Sequence, residues 1–374
     1  MSHSRKDLRQ AKVWVIKVGS ALLTQASSGL NLEVIATLAS QIAFLRSQGK
    51  QVVLVSSGSI AEGSRKLGWN KRPKEIHKLQ AAAAVGQMGL VHQYQQAFNT
   101  HRLTCAQILL TNADLANRKR YLNARSTLTS LLDLNVIPIV NENDTVVTDE
   151  IRFGDNDTLA ALVANIVGAE VLVLLTDQKG LFTADPSKDK TAKLIEQGIA
   201  GDPRLDAMAG DTSEFGTGGM VTKLKAATKA AHSGASTVIA FGKEPEVLKG
   251  IYNAKNIGTC LFPSKERLSA KKQWLAGQTQ SNGKLVLDKG AARVLREKGS
   301  SLLPIGVTGV TGEFGRGDIV LCVDVDGKDV ARGLANYSSD EADLMKQNAS
   351  ADIEKLIGYV NESELIHRDN MVIC

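Results

Sequence analysis

Short apolar runs recur at intervals through the first 263 residues: Lys12 to Val18, Gln51 to Ser56, Cys105 to Leu110, Val136 to Val140, Val171 to Thr176 and Thr237 to Phe241. Runs of this length, bounded by turn residues, read as buried strands. Between them lie longer stretches with helical spacing, such as Leu32 to Gln48, Lys119 to Leu132 and Thr158 to Val167. The alternation predicts a mainly parallel sheet with helices on both faces, an α/β fold. Residues 264–283 turn polar, with Lys265, Arg267, Lys271 and Lys272 around Trp274, and read as a linker. Beyond it come short glycine-punctuated runs, Lys284 to Leu287, Gly306 to Val310, Asp318 to Val323 and Val330 to Gly333, with a helix at Ala291 to Lys298. They predict a small β-barrel-like domain over 284–374.

The polar positions that interrupt this pattern are more informative than the pattern itself. Asn141-Glu142-Asn143-Asp144 follows the fourth run directly, and Phe153-Gly154-Asp155-Asn156-Asp157 comes shortly after it. Open α/β sheets bind ligands at the carboxyl ends of their strands, so this cluster marks a place to grip a polar small molecule. Asp155 and Asp157 also suit a plain helix cap before Thr158. Lys17 is a charge at the end of an otherwise apolar strand, costly unless it meets an anion. Gly19 and Gly58 form strand-to-helix turns that present backbone N–H groups, an arrangement common in structures without any ligand. The Gly216-Thr217-Gly218-Gly219-Met220-Val221-Thr222-Lys223 segment, opening a helical stretch, suits a nucleotide phosphate. Lys17 and Lys223 together predict a clamp on a transferring phosphoryl group, set against the plain reading in which each lysine snorkels to solvent. Neither the P-loop pattern nor the dinucleotide G-x-G-x-x-G pattern occurs, so phosphates must be handled another way.

Composition narrows the picture further. The formal charge of +6 is uneven: from Lys284 onward there are 11 basic and 15 acidic residues, a net of −4, which leaves +10 for the rest. A basic body favours anionic substrates, whereas the acidic tail domain disfavours binding to a phosphate backbone such as RNA. Cys105, Cys260, Cys322 and Cys374 lack C-x-x-C spacing, and the six histidines show no metal-ligand pattern; no metal site is expected. No apolar signal core or run of roughly 18 apolar residues occurs, so a cytoplasmic protein without a membrane span is expected.

Motifs in order along the chain resemble the amino acid kinase family: VIKVGSALLT from Val15, VLVSSGSIAEG from Val53, QAAAAVGQ from Gln80, QILLTNAD from Gln107 and YLNARSTL from Tyr121. PIVNENDTV from Pro138, FGDNDTLAALVA from Phe153, LLTDQKGLFTADP from Leu174 and GTGGMVTK from Gly216 continue the match. Within that family the chain is most similar to the branch that phosphorylates the γ-carboxylate of free glutamate, the first step of proline biosynthesis. DKGAARVL from Asp288, GSSLLPIGV from Gly299 and FGRGDIV from Phe314 resemble a PUA domain, an RNA-associated module.

The resemblance implies an αβα sandwich over residues 12–263 and a PUA domain over 284–374; residues 1–11 match nothing and are expected to be a disordered extension. It implies ATP and Mg2+ as cofactors. Lys17 and Lys223 would contact the phosphates, with Asp157 holding both lysines. Ser57, Asp144 and Asn156 would bind L-glutamate. Gly19, Thr176, Asp177, Thr217, Gly218, Gly219, Met220, Val221, Thr222 and Lys223 would line the nucleotide. Ser59 stands where the family more often has alanine, a change expected to matter little. A homo-oligomer, dimer or tetramer, feedback inhibition by proline and transient contact with glutamyl-phosphate reductase are also implied.

Overall fold

The computed structural model describes residues 4–25, 29–69, 71–147, 156–209, 219–264 and 281–374. The chain folds as two compact units, Met1–Leu115 with Ala124–Arg267, and Ala116–Asn123 with Leu268–Cys374.

The first unit is built on β1 (Val13–Val18), β2 (Thr24–Gln25), β3 (Gly29–Leu30), β4 (Gln51–Ser56), β5 (Cys105–Leu110), β6 (Ile137–Glu142), β7 (Val171–Thr176), β8 (Gln197–Ile199), β9 (Ser236–Phe241) and β10 (Thr259–Phe262). Eight of them form one sheet in the order β5-β6-β4-β1-β7-β9-β10-β8, and β2 and β3 make a separate hairpin. Every neighbouring pair in the large sheet is parallel except β9 with β10. All six residues of β1, β6 and β7 are buried, as expected of central strands covered on both faces. That is why these strands read as unbroken apolar runs rather than alternating ones.

The sheet order reverses direction at β1, which has β4 on one side and β7 on the other. The parallel register sets Val18 beside Ser56 and beside Leu175, so the carboxyl ends of all three strands finish level. Chain crossovers diverge at this point and leave a crevice between them.

Residues Ser4–Gln10 overturn the disordered-extension reading. Arg5–Arg9 is a 3-10 turn that sinks Leu8 into the main core, with Ala11 buried beside it. Arg5 fastens the turn by donating to the carbonyls of Glu196 at 2.6 Å, Ile257 at 2.7 Å and Gly258 at 2.7 Å. Burying two apolar residues and satisfying a guanidinium with backbone acceptors offsets the entropy of ordering this short segment.

The second unit holds β11 (Gly283–Leu287), β12 (Val307–Gly312), β13 (Ile319–Val323), β14 (Asp329–Leu334) and β15 (Met371–Ile373) in one sheet of order β12-β11-β13-β14-β15. Leu285, Leu287, Leu295, Val320, Tyr337 and Ile366 form its separate core. Its first helix, Lys289–Lys298, starts earlier than the sequence suggested because the Asp288 side chain accepts from Ala291 N at 2.7 Å and caps it. Most of the 264–283 linker segment lies outside the described residues.

Candidate active site

Lys17 reaches the crevice because it occupies the next-to-last position of β1, two residues before Gly19 ends the run. Asp157 arrives from another direction, in the first turn of the helix Asn156–Val167. Lys223 comes from the first turn of the helix Met220–Ala231, behind Gly219. These two helices lie side by side, and at their far ends Asn165 donates to the Lys229 carbonyl at 3.1 Å and accepts from Ser233 Oγ.

The three charges meet in a buried row. Lys17 Nζ lies 2.6 Å from Asp157 Oδ1, and Lys223 Nζ lies 3.0 Å from Asp157 Oδ2. Thr222 Oγ1 is 3.1 Å from the same Oδ2 and 2.7 Å from the Gly219 carbonyl oxygen. Lys17, Asp157 and Lys223 are 5%, 1% and 4% exposed, so neither lysine snorkels to solvent and Asp157 faces ammonium groups rather than capping its helix. Burial alone would push the Asp157 carboxyl up; the charges of Lys17 and Lys223 and their hydrogen bonds outweigh it and hold the group below the usual carboxylate range. The row carries one net positive charge, desolvated and fixed in place, which is what an incoming phosphoryl group requires.

Beside it runs a chain of side-chain hydrogen bonds that ends on the Asp144 carboxylate. Asn156 Nδ2 faces Ser57 Oγ at 2.7 Å, Asn141 Oδ1 at 3.1 Å and the Ser56 carbonyl at 3.3 Å. Asn141 Nδ2 in turn donates to Gln87 Oε1 at 2.8 Å and to Ser59 Oγ at 3.3 Å, and Ser59 Oγ reaches Asp144 Oδ2 at 3.4 Å. These links join the ends of β4 and β6 to two helices, Ser59–Lys66 and Ile76–Asn99. Gly58, with φ of 106°, makes the left-handed turn into the first of them.

A cavity of about 480 Å³ opens over this floor, and its walls bring together Lys17, Gly19, Ser57, Asp144, Asn156, Thr176, Asp177, Gly219 and Lys223. Asp157 stands behind the wall, and Met220, Val221 and Thr222 occupy the helical turn before Lys223 without lining the cavity. Thr217 and Gly218 lie outside the described residues. Gly19 has an ordinary φ of −74° and introduces a helix of a single turn, Ser20–Leu23, so little dipole stands behind it.

Sequence reading assigned no role to Ser59, Gln87 or Arg72, and placed Asn141 only within the cluster that grips a polar small molecule. Asn141 carried a signal, being polar in the NEND cluster at a strand end. Ser59 and Gln87 sit inside helical stretches, where one polar residue looks like any solvated position. Arg72 also lines the cavity, from the segment between the helices Ser59–Lys66 and Ile76–Asn99.

Comparison with known proteins covers the whole chain. The model of the amino acid kinase family matches residues 12–240, and that of the PUA domain matches residues 283–357. A protein of Thioalkalivibrio sulfidiphilus named glutamate 5-kinase is 59% identical over 374 residues, all of both chains. Proteins of the same name are 58% identical in Chromohalobacter salexigens, covering 100% of this chain and 98% of theirs, and 59% identical in Chromobacterium violaceum, covering 96% of each.

Proposed function

The chain belongs to the amino acid kinase family, and we propose that it transfers the γ-phosphoryl group of ATP to the γ-carboxylate of L-glutamate, forming L-glutamate 5-phosphate in the first step of proline biosynthesis. The observation that carries this reading is the buried Lys17–Asp157–Lys223 row opening onto a cavity with Ser57, Asp144 and Asn156 on its wall.

The acceptor is a carboxylate with an ordinary pKa of about 4.3, already ionised at neutral pH, so no general base is needed. A carboxylate oxygen forms a bond to the γ-phosphorus as the bond to the ADP oxygen breaks, and the charge moves with it. The barrier is the meeting of two anions in line. Lys17 and Lys223 neutralise the transferring group, and Asp157 fixes both ammonium groups before substrate arrives. Asp144 pairs with the α-ammonium of glutamate, while Ser57 and Asn156 orient the acceptor. Thr176, Asp177, Gly219 and Lys223 face the nucleotide.

Magnesium supplies charge neutralisation when it arrives on the ATP phosphates. Among the described residues there is no group of three or more His, Cys, Asp or Glu that could hold a metal ion. No helix among the described residues is long and apolar enough to cross a membrane, and the proposed setting is the cytoplasm. Homo-oligomerisation, inhibition by proline and hand-over of the labile acyl phosphate to a reductase complete the proposal, with RNA binding by the acidic C-terminal domain disfavoured.

Trapping the acyl phosphate with hydroxylamine tests it. With ATP and magnesium, hydroxamate should form from glutamate and not from aspartate or N-acetylglutamate; product from another acceptor alone would replace the substrate.

A further inference from the structure

Asn156 lines the cavity, and its side-chain nitrogen is already committed: Nδ2 donates to Ser57 Oγ at 2.7 Å, Asn141 Oδ1 at 3.1 Å and the Ser56 carbonyl at 3.3 Å. What the side chain offers a ligand is therefore Oδ1, an acceptor, which suits an ammonium group. That polarity is supported from behind by Asn141, a buried residue whose Oδ1 also accepts from the Glu142 backbone N–H at 2.9 Å. A backbone N–H can only donate, so Asn141 Oδ1 stays on this side and Nδ2 points the other way, to Gln87 Oε1 at 2.8 Å and more loosely to Ser59 Oγ at 3.3 Å.

Gln87 sits buried on the helix Ile76–Asn99 and is not among the residues that line the cavity. Its Nε2 has no hydrogen-bond partner among the described residues, so the whole polar use of this side chain is the one acceptor it turns to Asn141. A buried unpaired donor is a cost that an apolar residue of the same length would not incur. Building on the glutamate reading above, we infer that Gln87 is a positioning residue for the amino acid: its Oε1 holds the Asn141 amide, which holds the Asn156 amide with Oδ1 toward the α-ammonium. Without that acceptor, Asn141 Nδ2 keeps only its 3.3 Å contact with Ser59. A turned Asn141 amide would set Nδ2 against Asn156 Nδ2, and donor facing donor would drive the Asn156 N–H groups into the place of the ammonium.

The full-length protein is assayed by hydroxamate formation with ATP, magnesium and glutamate. Gln87→Met keeps the length and apolar bulk of the side chain and removes the acceptor; it should raise the glutamate KM on the order of 10-fold, the scale of one buried hydrogen bond, and leave the ATP KM unchanged. Gln87→Glu keeps the acceptor and, since Nε2 has no partner, breaks no bond, so its glutamate KM should stay close to that of the wild type. If the methionine variant fails to fold, Gln87→Asn gives the same reading, because it keeps an amide but withdraws the acceptor by one methylene. A Gln87→Glu variant as impaired as Gln87→Met, an unchanged glutamate KM in the variants that lose the acceptor, or a parallel rise in both KM values would overturn the role of Gln87 alone. Silence of the wild-type protein with glutamate would remove the glutamate reading and this role together.

Discussion

Lys17 and Asp157 form a 2.6 Å ion pair in which both side chains are almost wholly buried, at 7% and 1% exposure. Strand β1 and a helix that begins after the NEND segment are thereby joined at the one place where the sheet order reverses. Replacing Asp157 by Asn keeps the shape and removes the charge, which leaves two buried ammonium groups facing each other. Breaking a buried pair in this way costs about 3–5 kcal/mol. Asp157→Asn is therefore expected to lower the urea midpoint and to cut kcat. Wild-type stability in equilibrium unfolding would show that the lysines find other partners.

The same carboxylate makes stability depend on acid in a defined window. Its folded pKa is depressed below the ordinary 3.8, so its contribution is present above that value and disappears as pH falls through the folded value. The stability difference between wild type and Asp157→Asn should stay level from neutral pH down to about pH 4 and shrink below it. Urea titrations at a series of pH values measure this directly; a difference that already closes between pH 7 and 5 would point to another group.

Lys17→Ala and Lys223→Ala should each reduce kcat about 100-fold or more, the scale of losing one donor to a developing oxyanion. If both act on one phosphoryl group through one carboxylate, as proposed, the double variant should lose far less than the product of the single losses. Steady-state kinetics of the three variants decides between this and two independent lysines, for which the losses would multiply.

Two glycines fix how closely the substrate-side helices approach. A Cβ at Gly63 would fall 1.7 Å from the Ala82 carbonyl oxygen, and one at Gly86 would fall 1.8 Å from that of Ser59. In an isolated helix Gly→Ala stabilises by roughly 1 kcal/mol. Here the added methyl meets backbone that cannot rotate away, and overpacking of about 1–3 kcal/mol or more wins. Gly63→Ala and Gly86→Ala should lower the melting temperature, and since Ser59 moves with this crossing, the amino acid KM should rise while the ATP KM holds. Calorimetry with parallel kinetics checks both halves; a stabilised variant would contradict the packing.

Six of the eight strands of the large sheet were legible, most plainly where burial on both faces forces unbroken apolar runs, as in β1 and β7; the short β8 and β10 were not. Lys17 stood out against that background as a charge with nowhere to go but a site. Asp157 was harder, since an acid at a helix start has a simpler use as a cap; only the approach of Lys223 from a separate helix separates the two readings. The Ser59–Asn141–Gln87 links carry no local period, because each partner lies on a different element and a hydrogen bond leaves no spacing to read. The N-terminal turn was missed for a related reason: Leu8 and Ala11 are two small islands in a charged segment, and their burial depends on carbonyls contributed by residues such as Glu196 and Ile257.

Asn165 fastens the far ends of the helices Asn156–Val167 and Met220–Ala231, while Asp157 and Lys223 fasten the near ends. A slip of one helix along the other by a single residue is a shift of about 1.5 Å, enough to pull both fastenings apart at once. The two rods are thus latched like the sides of a frame, and any motion that admits or releases a ligand must swing them together, carrying anion and cation as one piece.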